Sequence, residues 1–172
     1  MSELIVLAFK DEATALEARR ELINLQKQHL IALADAAMVT RREDGKVKIK
    51  QAYDLVGVGA LGGAFWGMLI GLFFFMPWLG MAIGAITGAI AGKLSDFGIS
   101  DDFIKEVGES VQPGQAALFL MVHEMTEDRV LPELAKFQPT ILRTNLSQEN
   151  EAKLKQALGV FDDEEEPTAA AL

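Results

Sequence analysis

Residues 55–92 read LVGVGALGGAFWGMLIGLFFFMPWLGMAIGAITGAIAG, and this stretch decides how the chain is organised. It is 38 residues long and contains no charged side chain. A helix that crosses a membrane needs about 20 apolar residues, and the segments of a protein core need far fewer. The length therefore predicts two apolar helices joined by a turn, forming a transmembrane helical hairpin over residues 55–94.

Pro77 and Trp78 mark the predicted turn, because proline cannot donate a backbone hydrogen bond and clashes with a continuing helix. They divide the hairpin into a first arm (residues 55–76) and a second arm (residues 78–94). At about 1.5 Å per residue, the arms measure roughly 33 Å and 25 Å, against a hydrocarbon core of about 30 Å. The first arm is therefore long enough to insert alone, whereas the second needs the first as a partner.

Glycines recur every fourth residue in both arms. This spacing keeps them on nearly one face of a helix, although glycine costs a helix in water about 1 kcal/mol relative to alanine. In a bilayer such stripes of small residues let two backbones approach closely. The predicted helix-packing residues are Gly59, Gly63, Gly67, Gly71, Gly80, Gly84, Gly88 and Gly92.

The prediction assumes that lipid, and not protein, surrounds the two arms. Two other arrangements stay open. The hairpin could be wholly buried in protein, although the polar remainder of the chain is small for that purpose. It could also be re-entrant, dipping into the bilayer without crossing it, since the second arm is short.

The remainder of the chain predicts a water-soluble α+β domain. Residues 1–54 contain a βαβ unit, whose helix is predicted to be capped by Asp11 and to have an inner face of Ala15, Ala18, Leu22 and Leu25. A β-hairpin with an Asp44-Gly45 turn follows. Residues 95–158 contain a short helix opened by Ser100, a second βαβ unit whose first strand is predicted over 116–122, and a C-terminal helix. Two βαβ units predict a ferredoxin-like split βαβ sandwich with the membrane hairpin inserted between its halves. The acidic residues 159–172 predict a disordered tail.

The charged residues predict where the protein lies in the cell and argue against nucleic acid as a partner. The formal net charge is −9, which argues against nucleic acid because phosphate binding needs a basic face. Lys46, Lys48, Lys50 and Lys93 flank the uncharged stretch, and the turn carries no charge. The positive-inside tendency then puts both termini in the cytoplasm of a bacterial cell, at its inner membrane. The N-terminus also lacks the pattern of a cleaved signal peptide.

No catalytic, cofactor-binding or metal-binding constellation is evident. Cysteine is absent, and His29 and His123 have no ligand spacing between them. Asp35 is the one unusual charge, because it lies in the middle of a predicted strand. We interpret it as an edge or bulge carboxylate that faces water or bonds backbone, with ligand binding as the alternative.

Four stretches resemble the bacterial membrane proteins grouped as domain of unknown function 1269. They are ADAAMVTRREDGKVKIKQ (34–51), GLFFFMPWLGMAIGAITGAIAGKLSDFGISDDFI (71–104), PGQAALFLMV (113–122) and TNLSQENEAKLKQAL (144–158). The resemblance extends over nearly all of the chain up to residue 158. It implies a membrane protein and no particular activity.

The sequence therefore predicts a non-enzymatic, membrane-anchored interaction or assembly protein. Its expected partners are the lipid bilayer and, through the Gly-xxx-Gly faces, further copies of itself, together with a protein partner that the sequence does not identify. An oligomeric pore or transport element is one alternative, although Thr87 is the only hydroxyl available to line it. A ligand-responsive sensor domain at the membrane is the other, and it rests on fold analogy alone.

Overall fold

In the computed structural model, the residues described are 2–51, 66, 69–71, 73–74 and 99–146. They form an α+β domain built on a five-stranded antiparallel sheet, as the sequence predicts at this level. The strands are β1 (Ser2–Phe9), β2 (Ile31–Arg41), β3 (Val47–Gln51), β4 (Ala116–Met125) and β5 (Thr140–Leu146), and the helices with full bounds are α1 (Glu12–Lys27), α2 (Asp101–Ser110) and α3 (Glu127–Ala135).

The strands are arranged in the order β3-β2-β4-β1-β5, so β4 and β5 of the second half alternate with β2 and β1 of the first half. β4, which follows the uncharged stretch in sequence, lies between β1 and β2, which precede it. Val6 is paired with Phe119 on one side of β4, and Ala37 is paired with Phe119 on the other. The two halves therefore complete a single core around β4.

Local sequence signals account for the bounds of the first helix and the first hairpin. The Asp11 carboxylate caps α1 by accepting the N–H of Thr14 at 2.7 Å, which satisfies a donor that a helix start leaves free. The hairpin between β2 and β3 turns at Gly45, whose φ of 88° favours glycine. The inner face of α1 consists of Ala15, Ala18, Leu22 and Leu25, all buried as the sequence predicts.

The second half follows its predicted order with longer strands. The hydroxyl of Ser100 caps α2 by accepting the N–H of Phe103 at 3.1 Å. β4 extends to Met125, beyond the predicted end at Val122, because its last residues still pair with the start of β2. The predicted C-terminal helix over 147–158 lies outside the described residues.

The central strands β1, β2 and β4 are apolar on both faces. On the face that we call the helical face, α1 and α3 cover the sheet, with Val130 and Leu134 of α3 buried there. On the opposite face, which we call the capped face, β1, β2 and β4 contribute a second buried cluster. β4 belongs to both clusters, and its residues 116–122 are all buried. Such a continuous apolar run is expected of a strand that is covered on both sides.

The cover of the capped face includes part of the uncharged stretch. Trp66, Leu69 and Ile70 are fully buried and Phe73 is 3% exposed, all within the same cluster as α2 and the sheet. The expectation that lipid surrounds the first arm is therefore wrong at these four positions, where protein surrounds them. Within the described part of the chain, no helix combines the length and the apolar character needed to cross a bilayer.

Gly108 of α2 lies close to the backbone of the first arm. A Cβ atom added at Gly108 would lie 3.0 Å from the carbonyl oxygen of Phe73. Glycine inside a helix is unfavourable in itself, so this close contact gives its presence a physical reason. The neighbouring atom belongs to the main chain and not to a side chain that could rotate away.

We expect Gly108→Ala to destabilise the protein although alanine is the better helix former. Overpacking costs about 1–3 kcal/mol, which exceeds the ~1 kcal/mol gained in helix propensity. Thermal unfolding of the full chain in mild detergent measures the difference. Glu109→Ala, at the adjacent exposed position, is the control and should change stability by less than about 0.5 kcal/mol. A Gly108→Ala protein that is more stable than wild type would contradict the close contact.

Candidate functional site

The capped face is the part of the domain most closely connected to the uncharged stretch, and Phe119 lies at its centre. The ring of Phe119 contacts Trp66 at 6.5 Å between centroids with an interplanar angle of 74°. It also contacts Phe73 at 5.6 Å and Phe74 at 6.4 Å. Such edge and tilted pairs are each worth about 0.5–1.5 kcal/mol beyond the area that they bury. One side chain of β4 thus packs against three aromatic residues of the first arm.

Helix α2 completes the cover beside these aromatic residues. Phe103 contacts Phe73 at 5.8 Å between ring centroids. Ile104, Val107 and Ile99 are also buried in the cluster. Ile99 immediately precedes the Ser100 cap. Side chains from within the uncharged stretch and from the start of α2 therefore share one cluster.

Arg41 closes the capped face at one end. Its Nη1 donates a hydrogen bond to the carbonyl oxygen of Val111 at 2.9 Å, and its guanidinium carbon lies 5.8 Å from the centroid of the Phe74 ring. Its Nε is buried without a hydrogen-bond partner among the described residues. A cation over an aromatic face is attracted by the ring quadrupole, so Arg41 links the sheet, the end of α2 and the first arm.

Asp35 lies at an irregularity of β2, as the sequence interpretation proposed. Its pairing with Met121 follows two register shifts near Leu33, and its Oδ1 accepts the N–H of Ala36 at 2.8 Å. The residue is 0% exposed, so it bonds backbone and does not face water. Its partner Met121 belongs to the cluster of the capped face.

Polar cavities lie at the other end of the sheet. One of about 390 Å³ is lined by His29 and Glu124, among others, and one of about 180 Å³ includes His123. In residues 2–51 and 99–146, no group of three or more His, Asp, Glu or Cys side chains is placed to hold a metal ion. A third cavity, of about 640 Å³, is lined by Glu3, Glu127, Arg143, Thr144 and Asn145.

Arg143 organises this third cavity by joining two acidic residues. Its Nη2 donates to Oε2 of Glu3 at 2.9 Å and also bonds Glu127 at the start of α3. The hydrogen bond and charge of Arg143 lower the pKa of the Glu127 carboxyl, and both acidic partners raise the pKa of Arg143. The arrangement ties β1, β5 and α3 together, and the one guanidinium compensates one of the two negative charges in the cavity.

Of the helix-packing glycines predicted from sequence, only Gly71 is among the described residues, where it is helical and buried. The predicted turn residues Pro77 and Trp78 lie outside them, as do Gly59, Gly63, Gly67, Gly80, Gly84, Gly88 and Gly92. The contact of Trp66 and Phe73 with the sheet was not predicted. Their spacing with Leu69 and Ile70 is that of one helix face, but in a uniformly apolar stretch this spacing does not stand out.

We expect Arg143→Met to lower stability at neutral pH and to have little effect in acid. A carboxyl group whose pKa is lowered by folding stabilises the protein above its usual value of 4.5, and this contribution is lost as the pH falls through the lowered value. Melting temperatures of the two proteins should therefore differ at pH 7 and converge toward pH 3. Arg129→Met removes an exposed arginine of α3 and is the control. A difference that persists at pH 3 would show that Arg143 acts through packing instead.

Comparisons with known proteins identify the family and leave its activity open. No curated protein and no solved structure matches the chain. A family model described as "Protein of unknown function (DUF1269)" matches residues 60–159. The match includes the first arm from residue 60, the second arm, α2, β4, α3 and β5, which is more than half of the 172 residues. The chain is therefore a member of the DUF1269 family of proteins of unknown function.

Proposed function

We propose that this protein is a non-enzymatic assembly protein anchored at the bacterial cytoplasmic membrane, with both termini in the cytoplasm. The observation that carries the proposal is the 38-residue stretch without a charged side chain. Only part of that stretch is accounted for by the capped face, since the described residues place six of its members in the domain. The long remainder needs an apolar environment, and a bilayer provides it.

The soluble part of the proposal is a ferredoxin-like domain. Four of the strands follow the order β2-β4-β1-β5, and each βαβ unit contributes one helix to the helical face. This arrangement is what a split βαβ sandwich requires. β3 is then an additional strand at the edge beside β2, made by the Asp44-Gly45 hairpin.

Self-association through the glycines is the assembly part of the proposal. Trp66, Leu69, Ile70 and Phe73 face the sheet. Gly71 follows Ile70 by one residue, which places it about 100° further around the helix. Gly71 itself thus lies away from the face that packs on the sheet. In the proposal, Gly71 is buried against the second arm or another copy of the chain, as residues of small-xxx-small stripes are.

We expect the full chain to stay in the membrane fraction after an alkaline carbonate wash and to form oligomers that can be cross-linked in native membranes. The double variant Gly63→Leu with Gly84→Leu should form smaller particles in detergent while its membrane partition is unchanged, because added side chains separate the helices but do not reduce hydrophobicity. Size-exclusion chromatography with light scattering measures the difference.

Two controls separate this effect from a general loss of structure. Gly57→Leu makes the same chemical change at a glycine outside the four-residue register, and Ile83→Leu changes shape in the second arm without adding volume. Both should keep the wild-type size. A wild-type protein that is strictly monomeric would contradict self-association, and a full chain that stays in solution without detergent would contradict the membrane anchor.

A further inference from the structure

The sheet ends in two edge strands, which differ in how they are protected against pairing with another chain. Within the described residues, β3 pairs only with β2 and β5 pairs only with β1. Lys48 and Lys50 lie on β3 and Lys46 immediately precedes it, and all three are exposed. Because lysines on an edge strand discourage a further strand from pairing there, the β3 edge is protected by charge.

The β5 edge has no comparable protection. Its sequence, TILRTNL, contains a single charged residue, Arg143. The guanidinium of Arg143 bonds Glu3 on β1 and Glu127 at the start of α3, so it is turned toward the neighbouring strand and away from the outer edge. The β-branched residues of β5 are of the kind that strands favour. This edge is therefore suited to pairing with another strand.

Both hydrophobic clusters of the domain extend as far as β5. Ile141 packs against the cluster of the helical face, and Leu142 packs against the cluster of the capped face. Both side chains are only half-buried. A strand added beside β5 would cover them further on both faces at once, and burial of apolar surface is favourable.

The directions of the strands favour a second copy of β5 as the partner. Every neighbouring pair in the five-stranded sheet is antiparallel, so the two edge strands run in the same direction. A head-to-tail assembly that joined β3 of one copy to β5 of the next would therefore be parallel, which is less stable per residue. A two-fold axis perpendicular to the sheet makes β5 antiparallel to its own copy, and two-fold dimers are the commonest oligomers. The same operation on β3 would bring the lysines of two copies together.

We infer that β5 pairs with β5 of a second copy of this chain, so that two domains share one continuous antiparallel sheet. This interface lies in the α+β domain and does not involve the glycines of the uncharged stretch, so it goes beyond the proposed function. A two-fold axis perpendicular to the sheet keeps the capped faces of both copies on the same side. The arrangement is thus compatible with two copies attached to one membrane surface.

The side chains of β5 specify a register for this pairing. Thr140, Leu142 and Thr144 lie on the capped face, because their partners on β1 belong to its cluster. Only registers that pair residues of the same face keep both clusters intact. A register centred on Arg143 would set two guanidinium groups directly opposite each other, and like charges there are destabilising. A register centred on Leu142 pairs the two leucines with each other and each Thr140 with Thr144 of the second copy, which are favourable pairs.

The natural absence of cysteine allows disulfide cross-linking of the full chain to test this register. The double variant Thr140→Cys with Thr144→Cys places each thiol opposite one of the second copy, with Cα atoms about 4.5–5.5 Å apart, which a disulfide can span. Either single variant leaves the two thiols four residues out of register, about 14 Å apart, and is the matched control. After mild oxidation of unfractionated cell lysate, we expect at least about fivefold more linked dimer from the double variant than from either single variant.

Two further variants test the interface with both threonines in place. Leu142→Cys puts one thiol on the two-fold axis of the proposed register, so this single variant should form linked dimer by itself. Lys48→Cys places an exposed thiol on β3 at the other edge and should form none. Linked dimer from Lys48→Cys in an amount equal to that from Leu142→Cys would show random collision. Absence of linked dimer from both Leu142→Cys and the double threonine variant would overturn the β5 interface.

The outcomes separate this interface from the proposed glycine contacts and membrane anchor. Gly63→Leu with Gly84→Leu, added to Leu142→Cys, should leave the amount of linked dimer unchanged, because β5 lies outside both arms. Loss of linked dimer in that combination would show that the arms hold the copies together, and it would overturn an independent β5 interface. A chain that forms the β5 link but stays in solution without detergent would contradict the membrane anchor, and the β5 interface would stand.

Discussion

The structure depends on a central strand, β4, that has no polar face. Seven consecutive residues of β4, from Ala116 to Val122, are buried, so both sides of the sheet must be kept from water. α1 and α3 cover one side. On the other side α2 is only 10 residues long, and Phe119 packs against Trp66, Phe73 and Phe74 beside it. The domain completes this cover with side chains from the uncharged stretch, which makes part of that stretch a component of the soluble core.

This requirement explains why the first arm packs on protein and not on lipid where the structure describes it. Fully burying an aliphatic or aromatic side chain contributes about 1.5–3 kcal/mol, whether protein or hydrocarbon surrounds it. Trp66 and Phe73 would therefore gain little by moving from the sheet into a bilayer. The sheet would lose, because Phe119 and its neighbours would then be exposed to water. The difference favours the sheet, since only that arrangement buries both surfaces.

Much of the soluble fold could be predicted from sequence because its signals are local. The Asp11 cap, the inner face of α1, the Gly45 turn and the Ser100 cap depend on residues within a few positions of each other, and the structure has all four. The longer extent of β4 was not predictable in the same way. Its last residues are held by pairing with the start of β2, about 90 positions away in the chain.

The partner of the first arm was harder to predict for a different reason. Absence of charge predicts that a segment avoids water, but it does not distinguish lipid from a protein core. Nearly every residue of the segment is apolar, so one apolar helix face cannot be recognised in it by spacing. This applies to the face formed by Trp66, Leu69, Ile70 and Phe73. Only the three-dimensional arrangement reveals that the opposite surface is the sheet.

Glycine likewise does not distinguish a lipid environment from a protein core. The sequence attributes the repeated glycines to close helix approach in lipid, yet Gly108 of α2 lies outside the uncharged stretch and makes such an approach to the backbone at Phe73 within the protein. A small residue indicates only that two backbones lie close together, because that contact is the same in lipid and in protein.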